Sequence, residues 1–177
     1  MTLWSWLRTG GVASLVLLTA GGCHNSKASS GSYNIVISGA LAEARSGKAK
    51  GEQSHWFVGD DFYLSLDLQD PAVPITEYRS RTMLFAFHGI PKSGTYRIHP
   101  LGEARTAPFV ADAMMTGVED PPQMWSADRG VIRVSDRKWW RYGLTATFDV
   151  TMSCMQACPC PTGVPCNARF RGRVTTR

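Results

Sequence analysis

The stretch Phe62-Tyr63-Leu64-Ser65-Leu66-Asp67-Leu68-Gln69 decides the fold class. Its apolar residues Phe62, Leu64, Leu66 and Leu68 recur at every second position, with Tyr63, Ser65, Asp67 and Gln69 between them. Successive side chains of an extended chain point to opposite faces, so the pattern predicts a strand with one face buried and one wet. A helix would need its apolar residues three and four apart. Pro71 and Pro74 then close the strand, because proline cannot donate to a ladder.

The same period of two recurs on both sides. Upstream, Tyr33, Ile35 and Ile37 share a face of a strand that ends near Leu41, and Ala44 to Ser54, rich in Gly, Lys, Ser and Glu, reads as a loop. Downstream, Met83, Phe85 and Phe87 alternate within Thr82 to His88, and Ile90-Pro91-Lys92-Ser93-Gly94 predicts a hairpin loop into Thr95 to His99. Phe109-Val110 and Met114-Met115 mark one more strand before Asp120-Pro121-Pro122. Met124 to Ser126 and Val131 to Ser135 read as a hairpin about Ala127-Asp128-Arg129-Gly130, with Asp136-Arg137-Lys138 as the next turn. Leu144 to Met152 and Ala168 to Thr176 are the last strands, the first turning Leu144, Ala146, Phe148, Val150 and Met152 inward. About eight to nine short strands without an amphipathic helix predict an all-β fold, an antiparallel sandwich or barrel connected mostly by hairpins.

The N-terminus has another pattern. Arg8 precedes the apolar run Val12 to Ala20, and Ala20-Gly21-Gly22 places small residues before Cys23. That order of parts is a secretory signal, with an apolar run too short to span a bilayer as a stable helix. Residues 1–23 resemble the bacterial lipoprotein signal, in which small residues precede a cysteine that is acylated and becomes the new N-terminus. Ala20 stands where that pattern usually has Leu. The resemblance implies that 1–22 are removed, that Cys23 carries the acyl chains, palmitate among them, and that the protein is anchored in the cell envelope, on the outer membrane facing the periplasm. Residues 23–32, polar and Ser-rich, read as a flexible tether, and 33–177 as one β-domain of a length that supports a sizeable core. Its last elements, GVIRVSD, YGLTATFDVTM and FRGRVTT, are similar in layout to the C-terminal meander of uncharacterised bacterial β-sandwich lipoproteins. That likeness implies a fold class and no activity.

The formal charge is +5, and its distribution is uneven. From Arg129 onward the bases Arg129, Arg133, Arg137, Lys138, Arg141, Arg169, Arg171, Arg173 and Arg177 face only Asp136 and Asp149. A basic C-terminal third predicts an anionic partner. Export excludes nucleic acid and leaves lipid headgroups or wall polymers as the anions at hand. On the last strand Arg169, Arg171 and Arg173 share the face opposite Phe170 and Val174. That face reads either as an anion-facing surface or as an edge strand guarded by charge against aggregation.

Cys154, Cys158, Cys160 and Cys166 form C-x3-C-x-C-x5-C within the connection 153–167. In an oxidising compartment they predict two disulfides. Pairing Cys158 with Cys160 would strain the bridge, which leaves Cys154–Cys160 with Cys158–Cys166, or Cys154–Cys158 with Cys160–Cys166. The competing chemistry is a thiolate site for copper(I), helped by Met152 and Met155, although the spacing is not the C-x2-C of a zinc ribbon. No bound metal and no cofactor are expected. Trp139-Trp140, between Lys138 and Arg141, should turn one indole inward and the other outward, where it suits a sugar ring or a headgroup. The histidines His24, His55, His88 and His99 make no metal-ligand spacing, and G-x-S-x-G does not occur. The sequence therefore points away from an enzyme. It favours a lipid-anchored, non-enzymatic envelope domain that binds a partner or surface component, with a small-molecule or copper-like metal binder as the alternative.

Overall fold

The computed structural model describes residues 28–54, 61–68, 81–100, 110–117, 123–138, 143–158, 160–161 and 163–177. Nine strands run through them: β1 (Ala28–Gly39), β2 (Glu43–Ser54), β3 (Asp61–Asp67), β4 (Arg81–Phe87), β5 (Gly94–His99), β6 (Val110–Gly117), β7 (Met124–Lys138), β8 (Gly143–Gln156) and β9 (Asn167–Thr176). They hydrogen-bond in the order β1-β2-β3-β4-β6-β5-β7-β8-β9, and β9 pairs back onto β1 to close a barrel. The all-β class is as expected, and the sheet is mixed, since β5 and β6 run parallel.

Alternation does the work that the sequence suggests. Phe62, Leu64, Leu66 and Leu68 are at most 1% exposed, and Leu144, Ala146, Phe148, Val150 and Met152 at most 4%. Phe85 of β4 meets Phe148 of β8 at 5.0 Å between ring centroids, and Phe87 stands edge-on to Tyr96 at 5.1 Å. Side chains from facing strands thus fill the interior. Each large apolar residue so buried contributes roughly 1.5–3 kcal/mol.

Four expectations are corrected. The tether assigned to 23–32 gives way to β1 at Ala28: Ala28 to Ser32 lie opposite Glu52 to Lys48, and Ser30 exchanges backbone hydrogen bonds with Arg177 at 3.3 and 2.8 Å. Small polar residues suffice there, because backbone partners hold the strand on both sides. The loop assigned to 44–54 is β2. Its inward positions are small because neighbouring rings already cover them: a Cβ at Gly47 would lie 2.9 Å from the Tyr33 Oη, and one at Gly51 2.8 Å from the Phe62 ring.

The hairpin expected between β4 and β5 is split by β6, which runs antiparallel to β4 and parallel to β5. Ala111 and Ala113 of β6 lie opposite Phe87 and Phe85, small against large. The hairpin expected within 124–135, and the turn at 136–138, are instead one long strand, β7. Its Asp128-Arg129 signal is a bulge, with the register shifting between Ala127 and Arg129, so that both Asp128 and Arg129 face solvent. Beyond it β7 changes neighbours, from β6 at Met124–Ser126 to β5 at Gly130–Val134.

An outward arginine face and a cysteine loop

β9 lies inside the closed sheet, between β8 and β1. The explanation that its arginines guard an edge therefore does not apply. Arg169, Arg171 and Arg173 face solvent opposite Thr151, Asp149 and Thr147 of β8, and opposite Ser38, Val36 and Asn34 of β1. Arg169 grips Asp149 with two hydrogen bonds, Nε to Oδ1 and Nη2 to Oδ2, each 2.7 Å. Arg171 adds its Nε at 3.3 Å from Oδ2. The hydrogen bonds from Arg169 hold the Asp149 carboxyl below its ordinary value; partial burial opposes them, and the charges of Arg169 and Arg171 assist. Among the described residues no carboxylate pairs with Arg173.

The face is wider than the sequence suggests. On β7, Arg133 lies opposite Thr147 and Arg129 opposite Thr151, while Arg97 of β5 lies opposite Val131. Two rows result across β7, β8 and β9: Arg133–Thr147–Arg173 and Arg129–Thr151–Arg169. With strands about 4.8 Å apart, the arginines of a row stand roughly 10 Å apart at their Cα atoms, with a hydroxyl between them. Like charges directly opposite each other destabilise a sheet, and the threonine strand keeps them apart. On the other side of β9, Arg173 lies opposite Asn34 of β1, and Ser32 and Ser30 of β1 lie opposite Lys48 and Lys50 of β2. Two further acids lie on β7 near these rows: Asp136, opposite Thr145, and Asp128, which accepts a 2.5 Å hydrogen bond from Ser153. The turn signal at 127–130 hides from the sequence that Arg129 and Arg133 share a face of one strand, and Arg97 joins them only through the β5–β7 register.

On the far side of β1, an open groove of about 540 Å³ is lined by Ser30, Lys48, Lys50, Ser65, Asp67 and Thr82. Lys50 is paired there with Glu52 at 2.5 Å.

The cysteine loop joins β8 to β9 at the barrel end away from Ala28. Cys154 is bridged to Cys158 (S–S 2.14 Å) and Cys160 to Cys166 (2.19 Å), which is the second of the two expected pairings. The backbone N–H of Cys154 donates to the Cys166 carbonyl at 3.0 Å, extending the β8–β9 ladder into the loop. Cys154 and Cys166 pack against the core, whereas Cys158 is exposed. The Sγ atoms of Cys154, Cys158 and Cys166 all lie within 4.8 Å of one another. Of the methionines weighed as copper ligands, Met152 is fully buried in the core and Met155 is 67% exposed.

Cys23, Trp139 and Trp140 lie outside the described residues, as do His24 and His55. His88 places Nδ1 3.3 Å from Oδ1 of the buried Asp61. The chain matches no protein family, no curated protein and no solved structure.

Proposed function

We propose that this is a lipid-anchored, non-enzymatic envelope protein whose barrel holds its arginine face against an anionic surface, with anionic lipid headgroups as the nearest candidate. One observation carries the reading. Outward arginines stand on β5, β7 and β9 of a closed sheet, those of β7 and β9 spaced by the hydroxyls of β8, with one carboxylate, Asp149, pairing two of the three on β9. The lipoprotein-like residues 1–23 supply the setting. Only four residues separate Cys23 from Ala28, so an acylated Cys23 would keep the start of β1 within roughly 17 Å of the bilayer. Charge attraction is screened over about 10 Å at 0.1 M salt, so so short a link favours contact.

The test uses the mature chain without its acyl chains and vesicles with or without phosphatidylglycerol. Binding is expected only to the anionic vesicles and should fall as salt rises, and Arg169→Gln, Arg171→Gln and Arg173→Gln together should remove it while the circular dichroism stays unchanged. Equal binding by the triple variant, or no salt-dependent binding by the unmutated chain, sinks the proposal. A second reading, a binder of small anionic molecules, draws on the groove beside Lys48 and Lys50. Calorimetric titration with sugar phosphates, comparing the unmutated chain with Lys48→Gln, separates the two.

A further inference from the structure

The cysteine loop supports an inference that does not depend on the arginine face. Ala157 sits inside the small loop closed by the Cys154–Cys158 bridge, and its φ of 53° makes it the one non-glycine residue with positive φ among the described residues. A Cβ disfavours that left-handed backbone, so this bridge holds a conformation the chain would otherwise leave. Beside it stands the second bridge, with Cys166 Sγ within 4.8 Å of Cys154 Sγ.

We infer that the two disulfides form one redox site, which takes two electrons from a dithiol and moves the resulting thiols to Cys158 and Cys160 by internal exchange. Cys158 is the exposed residue of its bridge, while Cys154 packs against the core, so an incoming thiolate meets Cys158 first. Attack on Cys158 Sγ forms a mixed disulfide and expels Cys154 as thiolate. The partner's second thiol then attacks its own sulfur in that mixed disulfide, releasing Cys158, and the partner departs as a disulfide. Two electrons and two protons have passed to the barrel.

The Cys154 thiolate next attacks Cys166 Sγ and expels Cys160, which takes up the proton Cys154 gave up; no electrons enter or leave in this step. What remains is a single bridge from Cys154 to Cys166, between neighbouring positions whose backbones are already joined by the 3.0 Å hydrogen bond. Two features favour this direction. Opening Cys154–Cys158 lets Ala157 leave the left-handed region. The surviving bridge spans twelve positions, 154 to 166, rather than the six between Cys160 and Cys166, and a longer closed loop restricts the unfolded chain more. The product presents a Cys-x-Cys dithiol at Cys158 and Cys160.

The test needs no cysteine substitution, so misfolding cannot obscure it. The oxidised full chain is treated with one equivalent of dithiothreitol without oxygen, quenched with N-ethylmaleimide and mapped by peptide mass spectrometry. The expected product carries the label on Cys158 and Cys160 and keeps Cys154 linked to Cys166. Label on Cys154 and Cys158 with the other bridge intact, label on Cys160 and Cys166, or even label over all four overturns the inference. Ala157→Gly, which removes the penalty on the left-handed backbone, should slow the first reduction about fivefold; an unchanged rate overturns the part assigned to Ala157.

Discussion

Asp149→Asn separates a charged field from a set of individual contacts. On the outer face of β8 and β9 three arginines meet one carboxylate, a balance of +2 (three minus one), and asparagine of nearly the same shape leaves +3. The fold should lose little. The side chains of Arg169 and Asp149 are 47% and 38% exposed, and an ion pair so open to water adds little to stability. Near an anionic bilayer one added unit of positive charge contributes about 1 kcal/mol, roughly a fivefold gain in vesicle partitioning at low salt. Co-sedimentation of the unacylated mature chain with phosphatidylglycerol vesicles, across a salt series, reads that gain. It should vanish toward 1 M salt, where the screening length falls to about 3 Å. Acid should imitate the substitution. Protonating Asp149 removes the same charge, but the hydrogen bonds from Arg169 depress its carboxyl, so the unmutated chain should approach the variant only below the usual carboxylate range. The small stability this pair contributes runs with the same sign: present above the unfolded carboxyl's pKa, lost as pH falls through the depressed one. An Asn variant that binds no tighter at low salt, or keeps its advantage at 1 M, refutes the reasoning.

Cys23→Ser should shift the protein from the membrane pellet to the soluble fraction, since buried acyl chains contribute about 0.8 kcal/mol per methylene; a variant that stays in the pellet removes the lipoprotein reading. Gly172→Ala should lower stability by about 1–3 kcal/mol in urea unfolding, because its Cβ would lie 2.4 Å from the Asn34 carbonyl oxygen and 2.8 Å from the Phe148 Cζ; an unchanged midpoint contradicts that packing. Burial first, and the Asp67 charge second, push the Tyr33 phenol up to about 12, while its O–H donates to the Asp67 carbonyl at 2.6 Å. The raised value means stabilisation present below pH 10 and lost between 10 and 12, on the order of 2 kcal/mol, so urea midpoints at pH 9 and 11.5 should diverge less in Tyr33→Phe. In denatured but unreduced protein Cys154, Cys158, Cys160 and Cys166 should resist alkylation, and four reactive thiols there would contradict both bridges.

The strands legible in the sequence are those that carry their own apolar side chains. β3, β4 and β8 show period two because Phe62, Phe85 and Phe148 fill the interior from their own positions. β2 reads as a loop because its share of the interior is occupied by others, Tyr33 over Gly47 and Phe62 over Gly51. The strand at β6 is legible from Val110 and Met114-Met115, but its place in the sheet and the course of β7 are not, for a different reason. A local turn signal cannot tell a hairpin from a bulge, and the insertion of β6 between β4 and β5 is a long-range choice set by alanines facing phenylalanines. The cysteines and the β9 arginines were legible because spacing alone identifies them. That Arg97, Arg129 and Arg133 extend the same face follows only from the register across β5, β7 and β8.

The position of β1 has a mechanical side. Flanked by β2 and β9, it is held by ladders along both edges, and its first residues point back toward the proposed anchor. A pull along the tether, with the load taken at the opposite end of the barrel, runs parallel to the strand and must shear both ladders together. A pull between β1 and the C-terminal Arg177, joined at Ser30, would instead peel β1 from β9 one hydrogen bond at a time. The same barrel should therefore withstand a much larger force when held by its cysteine-loop end than when held by its C-terminus, a directional strength suited to a domain tethered by one strand and loaded from its far side.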